Sequence, residues 1–443
     1  MAVIVTDAEA RKVALGSFVG TALEWYDFFL YGTAASLVFN TLFFSSSNTV
    51  LATMGAFASF AVGFAARPIG AVIFGHLGDR IGRRRCLIVT VTMIGVVTGL
   101  IGLLPDVLSI GLAAPILLTL LRLLQGVAVG GEWGGAVTLA VEHAPIERRG
   151  RYAVMPQIGS PIGTLLSNGA FLAVATLPPE SFNSWGWRLP FLAAFPLLYI
   201  ALWIRRRVGE SPLFEQLLKE DERASSPVRE VIVGAWRQLL VGACTCSLGV
   251  GGFYLATTFV ISYGTGTLHL SKSLVLTATL VAAASQILVL LVAGRLCERF
   301  GPARITVFGG VVTALVAFPM FWLIDTKIAG LVVLGVTLGV AFLTISYAVS
   351  GPILADLFPA RLRYSGLALS SNFAGIMSGF VPLVATALLA ATGGASWSAA
   401  ALLILIALIT LLGGLLAPRL SLSQDQSLLV SGKGVYPGGA PKA

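Results

Sequence analysis

The chain has 443 residues, of which 56% are hydrophobic before its 50 glycines are counted, while only 11% are Asp, Glu, Lys or Arg. A soluble domain carries roughly 25% charged residues, and so few charges cannot cover this much Leu, Val, Ala and Phe in water. Soluble enzymes, disordered chains and disulfide scaffolds are excluded, and lipid is the expected solvent for most of the chain.

A membrane-spanning helix needs about 20 mainly apolar residues. Twelve stretches meet that length: 13–41, 50–74, 86–105, 110–140, 152–177, 189–205, 238–264, 273–294, 304–324, 328–354, 366–391 and 398–417. Such runs are too long for barrel strands of about 10 residues. The first stretch is too long for a cleaved leader and carries two carboxylates, so it is expected to remain in the mature protein.

Taken in chain order, the stretches contain a few ionisable residues at depths where each costs about 2.5 to 3.5 kcal/mol on insertion scales, which makes them functional candidates. Glu24 and Asp27 lie near the middle of the first stretch, with Tyr31 on the same helical face. Arg67 is on the second, Arg122 near the centre of the fourth, and Glu132 further along the fourth at a depth similar to that of Arg67. Depth counting at about 1.5 Å per residue sets Arg122 level with Glu24 and Asp27. Opposite charges at one depth are expected to pair or to share a polar cavity.

The longest polar segment, residues 205–237, divides the chain into an N-terminal bundle (1–204) and a C-terminal bundle (238–417), followed by a tail (418–443). The halves echo each other. GHLGDRIGRRR from Gly75 and GRLCERFGPAR from Gly294 share glycines, Leu, an acid and Arg in register, including Asp79 with Glu298 and Arg80 with Arg299. Two repeats of one topology imply a path between two bundles. The expected fold class is therefore an all-α membrane protein, with twelve transmembrane helices in two six-helix bundles.

The net charge of +9 comes from 29 basic residues, and 24 of them fall in segments on the same side as the termini. By the positive-inside rule both termini are expected in the cytoplasm of a multi-pass cell-membrane protein. The positive charge thus reads as an orientation signal, and no nucleic-acid partner is expected. Cys86, Cys244, Cys246 and Cys297 form no CxxC pair, the three histidines are scattered, and neither GxxxxGK[ST] nor GxSxG occurs. No metal, no hydrolytic nucleophile and no ATP site is expected.

The loop GHLGDRIGRR from Gly75 resembles the hallmark of the major facilitator superfamily. EWYDFFLYG from Glu24, RPIGAVIFGHLGDRIGRR from Arg67, RLLQGVAVGGEWGG from Arg122, WGWRLPFL from Trp185, ESPLF from Glu210 and FPARLRYSG from Phe358 resemble its metabolite:proton symporter branch. Within that branch the likeness is to carriers of shikimate and related organic acids, or of proline and betaine.

The resemblance implies secondary active transport, not enzymatic activity. The expectation is proton-coupled uptake of a small organic carboxylate by alternating access, by a monomer, with a proton gradient and no cofactor. Glu24 and Asp27 are the proton-coupling candidates. Arg122 is the candidate for holding a substrate carboxylate through its bidentate fork, with Tyr31, Gln157, Tyr254, Gln286, Tyr347 and Asn372 as further substrate contacts. Arg67, Asp79, Arg80, Arg83, Arg84, Glu132, Glu298 and Arg299 are the gating candidates, because the superfamily loop acts as a conformational latch. The competing readings are a fixed ion pair for the buried charges and interhelical hydrogen bonding for the amides. Rival functions are a zwitterion symporter, an exporter, or a receptor or channel on the same scaffold.

Overall fold

The computed structural model describes residues 7–81, 83–130, 149–207 and 227–421. Among them the regular structure is all helical, and the helices trace twelve spans. Span 1 joins Asp7–Ala34 to a π-helical turn, Ala35–Phe39, and to Asn40–Leu42. Span 2 is Thr49–Ala65 with Arg67–Ile81, span 3 Arg83–Gly102, span 4 Ala113–Val129 and span 5 Arg149–Val174. Span 6 is Arg188–Leu192 with Ala194–Arg207. The second half follows as span 7 (Trp236–Thr267), span 8 (Lys272–Phe300), span 9 (Pro302–Asp325) and span 10 (Ala329–Leu357). Span 11 (Ser365–Ala391) and span 12 (Trp397–Leu420) complete it.

Seven of these, span 2 and spans 7 to 12, are long and apolar enough by themselves to cross a membrane. The other five are shorter, broken or charged. Span 1 holds Arg11, Lys12, Glu24 and Asp27, and the apolar parts of spans 3 and 4 reduce to Ile88–Gly102 and Ala113–Val129. Most helix breaks have a visible cause. Those at Ala66, Ala193, Val349 and Phe380 come two or three residues before Pro68, Pro196, Pro352 and Pro382, where the missing N–H removes a helical bond. Large apolar side chains such as Leu288, Leu315 and Met377 stay exposed on the outer faces, as a lipid-solvated surface requires.

The packing order is the same in both halves. Span 1 packs on 5, 2 on 4, and 3 on 4 and 6; in parallel, 7 packs on 11, 8 on 10, and 9 on 10 and 12. Between the halves, span 5 lies against 8 and span 2 against 11, and these two contacts exchange under the same six-span shift. The molecule is thus two like bundles facing each other across a pseudo-twofold axis. The short loop after span 3 is closed by Asp106, which caps Val107–Ile110; hydrogen bonds from the Ser109 hydroxyl and N–H hold its carboxyl below the usual carboxylate range.

One crossing in the N-terminal bundle leaves no room for side chains. A Cβ on Gly126 of span 4 would lie 2.0 Å from the carbonyl oxygen of Gly63 on span 2, and one on Gly130 would lie 2.0 Å from that of Arg67. A Cβ on Gly70 would come within 1.8 Å of the Val127 carbonyl oxygen. Backbone contact at small residues is how membrane helices gain close packing. Gly126→Val should therefore destabilise the protein by about 3 kcal/mol or more through forced separation of the two helices. Gly330, where a Cβ would find nothing within 4 Å, should accept Ala with little change. Thermal unfolding of the two detergent-purified variants, followed by loss of the monodisperse peak, checks the contrast.

Candidate functional site

Four of the buried charges within the spans form two acid–arginine pairs, stacked along span 1. In the first, Arg122 of span 4 is completely buried, and its Nη1 lies 3.8 Å from Asp27 Oδ2. The same Nη1 donates to Gln125 Oε1 at 3.0 Å. Gln125 Nε2 in turn donates to Asp27 Oδ1 at 2.6 Å and reaches the Thr98 oxygen at 2.9 Å, while the Thr98 hydroxyl also donates to Asp27 Oδ1. Spans 1, 3 and 4 thus meet at one carboxylate. Among the described residues Asp27 Oδ2 accepts no hydrogen bond, and Arg122 Nε and Nη2 donate none.

Aromatic rings do much of the enclosing. The Arg122 guanidinium carbon sits 4.3 Å from the ring centre of Tyr31, 4.5 Å from Phe28 and 5.2 Å from Phe60. Desolvated cation–π contacts of this kind are worth about 2 kcal/mol each. Gly63 supplies the remaining space, since a Cβ there would lie 2.6 Å from Arg122 Nε. Tyr31, a candidate substrate contact, instead stacks on this cation and hydrogen-bonds Ser59 at 2.8 Å.

The second pair lies one helical turn nearer the termini. Arg67 Nη2 is 3.8 Å from Glu24 Oε1, and its guanidinium stacks on Phe28 at 4.1 Å and Phe64 at 4.5 Å. Phe28 therefore touches both arginines. Unlike the first pair, this one lines a cavity between the bundles. Spans 1, 2 and 4 contribute Glu24, Trp25, Arg67 and Gly130, and the facing wall includes Tyr347, Ser350, Ser371 and Asn372. Arg67, expected beside Glu132 and the 75–85 loop as part of a gate, is paired with Glu24 at the cavity wall; Glu132 and the side chains of 75–85 lie outside the described residues.

The candidate amides bridge helices. Gln157 Nε2 of span 5 donates to Ser350 Oγ at 2.7 Å and to the Tyr347 carbonyl at 3.2 Å on span 10. Asn372 Nδ2 of span 11 donates to the Gly130 carbonyl at 3.0 Å. Asn168 joins Thr33 to Thr279 of span 8, and Ser36 donates to the Thr258 carbonyl of span 7. Each of these sets crosses between the bundles, so each must break when they move apart. Tyr254 is buried among the rings of Trp25, Phe29, Phe60 and Phe64, and its hydroxyl has no partner among the described residues. Gln286 is fully buried on span 8 with neither amide atom bonded among them.

Of the other gating candidates, Arg299 stacks on Phe300 at 5.2 Å beside Glu298, near the end of span 8. Glu132 lies outside the described residues, as do the side chains of Asp79, Arg80, Arg83 and Arg84. Sequence reasoning missed Gln125 and Thr98. Gln125 was findable, one helical turn after Arg122 and hence on its face. Thr98 carries no signal of its own in an apolar run.

Residues 17–352 match the family described as the Major Facilitator Superfamily. The chain belongs to that superfamily. It is 39% identical over 406 residues to the shikimate transporter of Escherichia coli K12, covering 90% of this chain and 92% of that protein. It is 35% identical to the glycine betaine/proline/ectoine/pipecolic acid transporter OusA of Dickeya dadantii, covering 93% and 84%. It is also 32% identical to the proline/betaine transporter of E. coli K12, covering 86% and 78%. Among solved structures, the proton:xylose symporter XylE bound to 6-bromo-6-deoxy-D-glucose aligns with a TM-score of 0.72 at 18% identity, over 93% of this chain and 96% of that one. The partially occluded inward-open form of E. coli XylE gives 0.70. The fold is the twelve-helix fold of this superfamily, and the chain is a multi-pass membrane transporter, not an enzyme.

Gln125 holds both members of the inner pair, so its loss should be felt by both. Replacing it with Leu leaves a buried carboxylate oxygen and a guanidinium N–H without that partner, at a cost of about 1–3 kcal/mol. Thermal unfolding of Gln125→Leu, Asp27→Asn and the double variant should show the double costing less than the sum, as coupled neighbours do.

Proposed function

We propose that this transporter is a proton-coupled symporter, which takes up a small organic carboxylate by alternating access, and that Asp27 is the group whose protonation couples the gradient to transport. The observation carrying this reading is the Asp27 environment. Its Oδ1 is saturated by Thr98 and Gln125, whereas Oδ2 faces a cation beyond hydrogen-bond range and accepts no hydrogen bond among the described residues. A proton therefore has a place to go on Oδ2, and the stacked rings and Gln125 keep Arg122 solvated while its counter-charge is neutral. Span 5 against 8 and span 2 against 11 form the surfaces on which the bundles rock, with the bridging amides made and broken in each cycle.

The relative of 39% identity is named a shikimate transporter, which supports a shikimate-like hydroxy acid as the solute. The proline and betaine carriers among the relatives make a zwitterion the second reading. The proton gradient supplies the energy without a cofactor. One chain contains both bundles, so a monomer suffices. The bias of basic residues to one side supports cytoplasmic termini, at the inner or plasma membrane of the cell that bears the carrier. The latch role of Asp79, Arg80, Arg83, Arg84 and Glu132, with Glu298 and Arg299 in the second repeat, belongs to this proposal too.

Proteoliposomes with an acid-outside gradient should accumulate labelled shikimate above its external concentration, and collapse of the gradient with a protonophore should abolish the accumulation. Asp27→Asn should reduce accumulation at least tenfold while sparing exchange of internal for external solute, because exchange needs no net proton movement. Full accumulation by Asp27→Asn, or accumulation of proline or glycine betaine in place of shikimate, would overturn the assignment. A C-terminal reporter active only in the cytoplasm tests the orientation.

A further inference from the structure

Buried hydrogen-bond donors nearly always have an acceptor, so a group of unpartnered donors around one cavity points to an acceptor from outside the chain. Among the described residues three such donors belong to the lining of the cavity between the bundles: Trp25 Nε1 of span 1, Arg67 Nε of span 2 and the Tyr347 hydroxyl of span 10. All three residues are more than nine-tenths buried. Trp25 is stacked on Phe29 at 5.1 Å, and the Arg67 guanidinium packs on Phe28 and Phe64, so neighbouring rings hold both side chains in place. Ser160 stands beside the Tyr347 hydroxyl without reaching hydrogen-bond geometry.

Three donors of which one is a cation suit an oxyanion. Glu24 meets Arg67 at Nη2, at 3.8 Å, and leaves Nε to another acceptor, so a carboxylate can join Arg67 without displacing Glu24. Arg122, by contrast, is sealed by the rings of Phe28, Tyr31 and Phe60 and by the span 2 backbone at Gly63. A solute carboxylate entering between the bundles therefore meets Arg67, and Arg122 acts on it only through its field.

That field depends on Asp27. The guanidinium carbons of Arg67 and Arg122 lie 4.1 Å and 4.5 Å from the centre of the same Phe28 ring, hence within about 9 Å of each other. Arg67 also interacts electrostatically with Asp27. While Asp27 is ionised it offsets the Arg122 charge felt at Arg67, and a proton on Asp27 uncovers that charge. We propose that Trp25, Arg67 and Tyr347 receive the carboxylate of the transported solute, and that a proton on Asp27 strengthens their hold on it through the uncovered charge of Arg122. The proton comes from water and forms one O–H bond at Asp27 Oδ2, while the partners of Glu24 are unchanged. It adds one positive charge, which the carboxylate balances, so one anion and one proton enter together. At an effective dielectric constant of about 20, one charge at about 9 Å changes the affinity for an anion by about tenfold. By linkage the bound carboxylate favours the proton by the same factor. The charged and titratable groups facing Asp27 among the described residues are Arg122 on span 4, Arg67 on span 2, Tyr26 and Tyr31 on its own span, and Tyr254 on span 7. Thr98 and Gln125 supply its neutral contacts.

The inference rests on the transport reading but is tested without a gradient, so the two fail separately. Equilibrium binding of shikimate to the purified protein is measured between about pH 5 and about pH 9, with the protons taken up on binding counted by a dye in weak buffer. Affinity should be greatest at low pH, fall by about tenfold in all as Asp27 ionises, and then level off, because ionised Asp27 weakens the site without closing it. Proton uptake should accompany binding within that window and vanish on either side of it.

Asp27→Asn should bind at every pH as tightly as wild-type protein does at low pH, with no proton uptake. Trp25→Phe and Tyr347→Phe should each weaken binding about tenfold while keeping its pH dependence, as loss of a hydrogen bond to a charged group does. Tyr347→Phe should leave the thermal stability of the empty protein unchanged, since its hydroxyl has no hydrogen bond there to lose. Arg67→Lys should weaken binding about tenfold or more. On wild-type protein, which needs no variant to fold, the carboxamide of shikimate should not compete and inorganic phosphate should compete only weakly. The inference is overturned by pH-independent binding to wild-type protein, by a pH dependence that survives Asp27→Asn, or by full affinity in Trp25→Phe or Tyr347→Phe. It is equally overturned by equal binding of acid and carboxamide, by phosphate binding as tightly as shikimate, or by no binding at millimolar shikimate. Loss of gradient-driven accumulation with these binding results intact would sink the symport reading alone.

Discussion

Arg122 carries a full positive charge into a bundle whose outer solvent is lipid, and the N-terminal half is arranged around what keeps it there. An unpaired charge at such a depth costs several kcal/mol, and removing one partner of a buried pair is more damaging than never having had the pair. Asp27 supplies the counter-charge, Gln125 ties acid to base, and the rings of Phe28, Tyr31 and Phe60 replace water as polarisable neighbours. Spans 2 and 4 must touch backbone to backbone for this packing, which is why glycine stands at 63, 126 and 130.

The ring of Phe28 also ties this sealed pair to the open one. Arg67 lies 4.1 Å and Arg122 4.5 Å from its centre, so the two cations are within about 9 Å of each other, close to one screening length in salt water and less screened inside protein. At an effective dielectric constant of about 20 they repel by about 2 kcal/mol. Each is tolerated because its own acid is present. Neutralising Asp27 or Glu24 therefore changes the field felt by the other pair. Electrostatic coupling over this distance needs no mechanical linkage.

The spans themselves were legible, because lipid demands about 20 apolar residues and the sequence shows the runs directly. The charged residues were legible for the converse reason, and depth counting put Asp27 and Arg122 at the level where they meet. Depth says nothing about direction around the helix, however. Arg67 pairs with Glu24, and only the crossing of spans 1 and 2 reveals that. The amides at 157 and 372 were candidate ligands with interhelical bonding as the more frequent role of such residues, and the structure gives them partners on the opposite bundle. Thr98 was invisible, since threonine in an apolar helix ordinarily bonds its own backbone, as Thr98 also does to Ile94.

The cavity is built from two unlike walls. The charged residues that line it, Glu24 and Arg67, stand on the bundle held rigid by the glycine crossing, whereas the hydroxyl and amide groups that face them belong to the other bundle. On the proposed reading, handling of charge and recognition of solute are kept in separate halves of the chain. A descendant could acquire a new solute by changing the C-terminal half alone while inheriting its ion chemistry intact, so related carriers with different cargoes can share one energy-converting half.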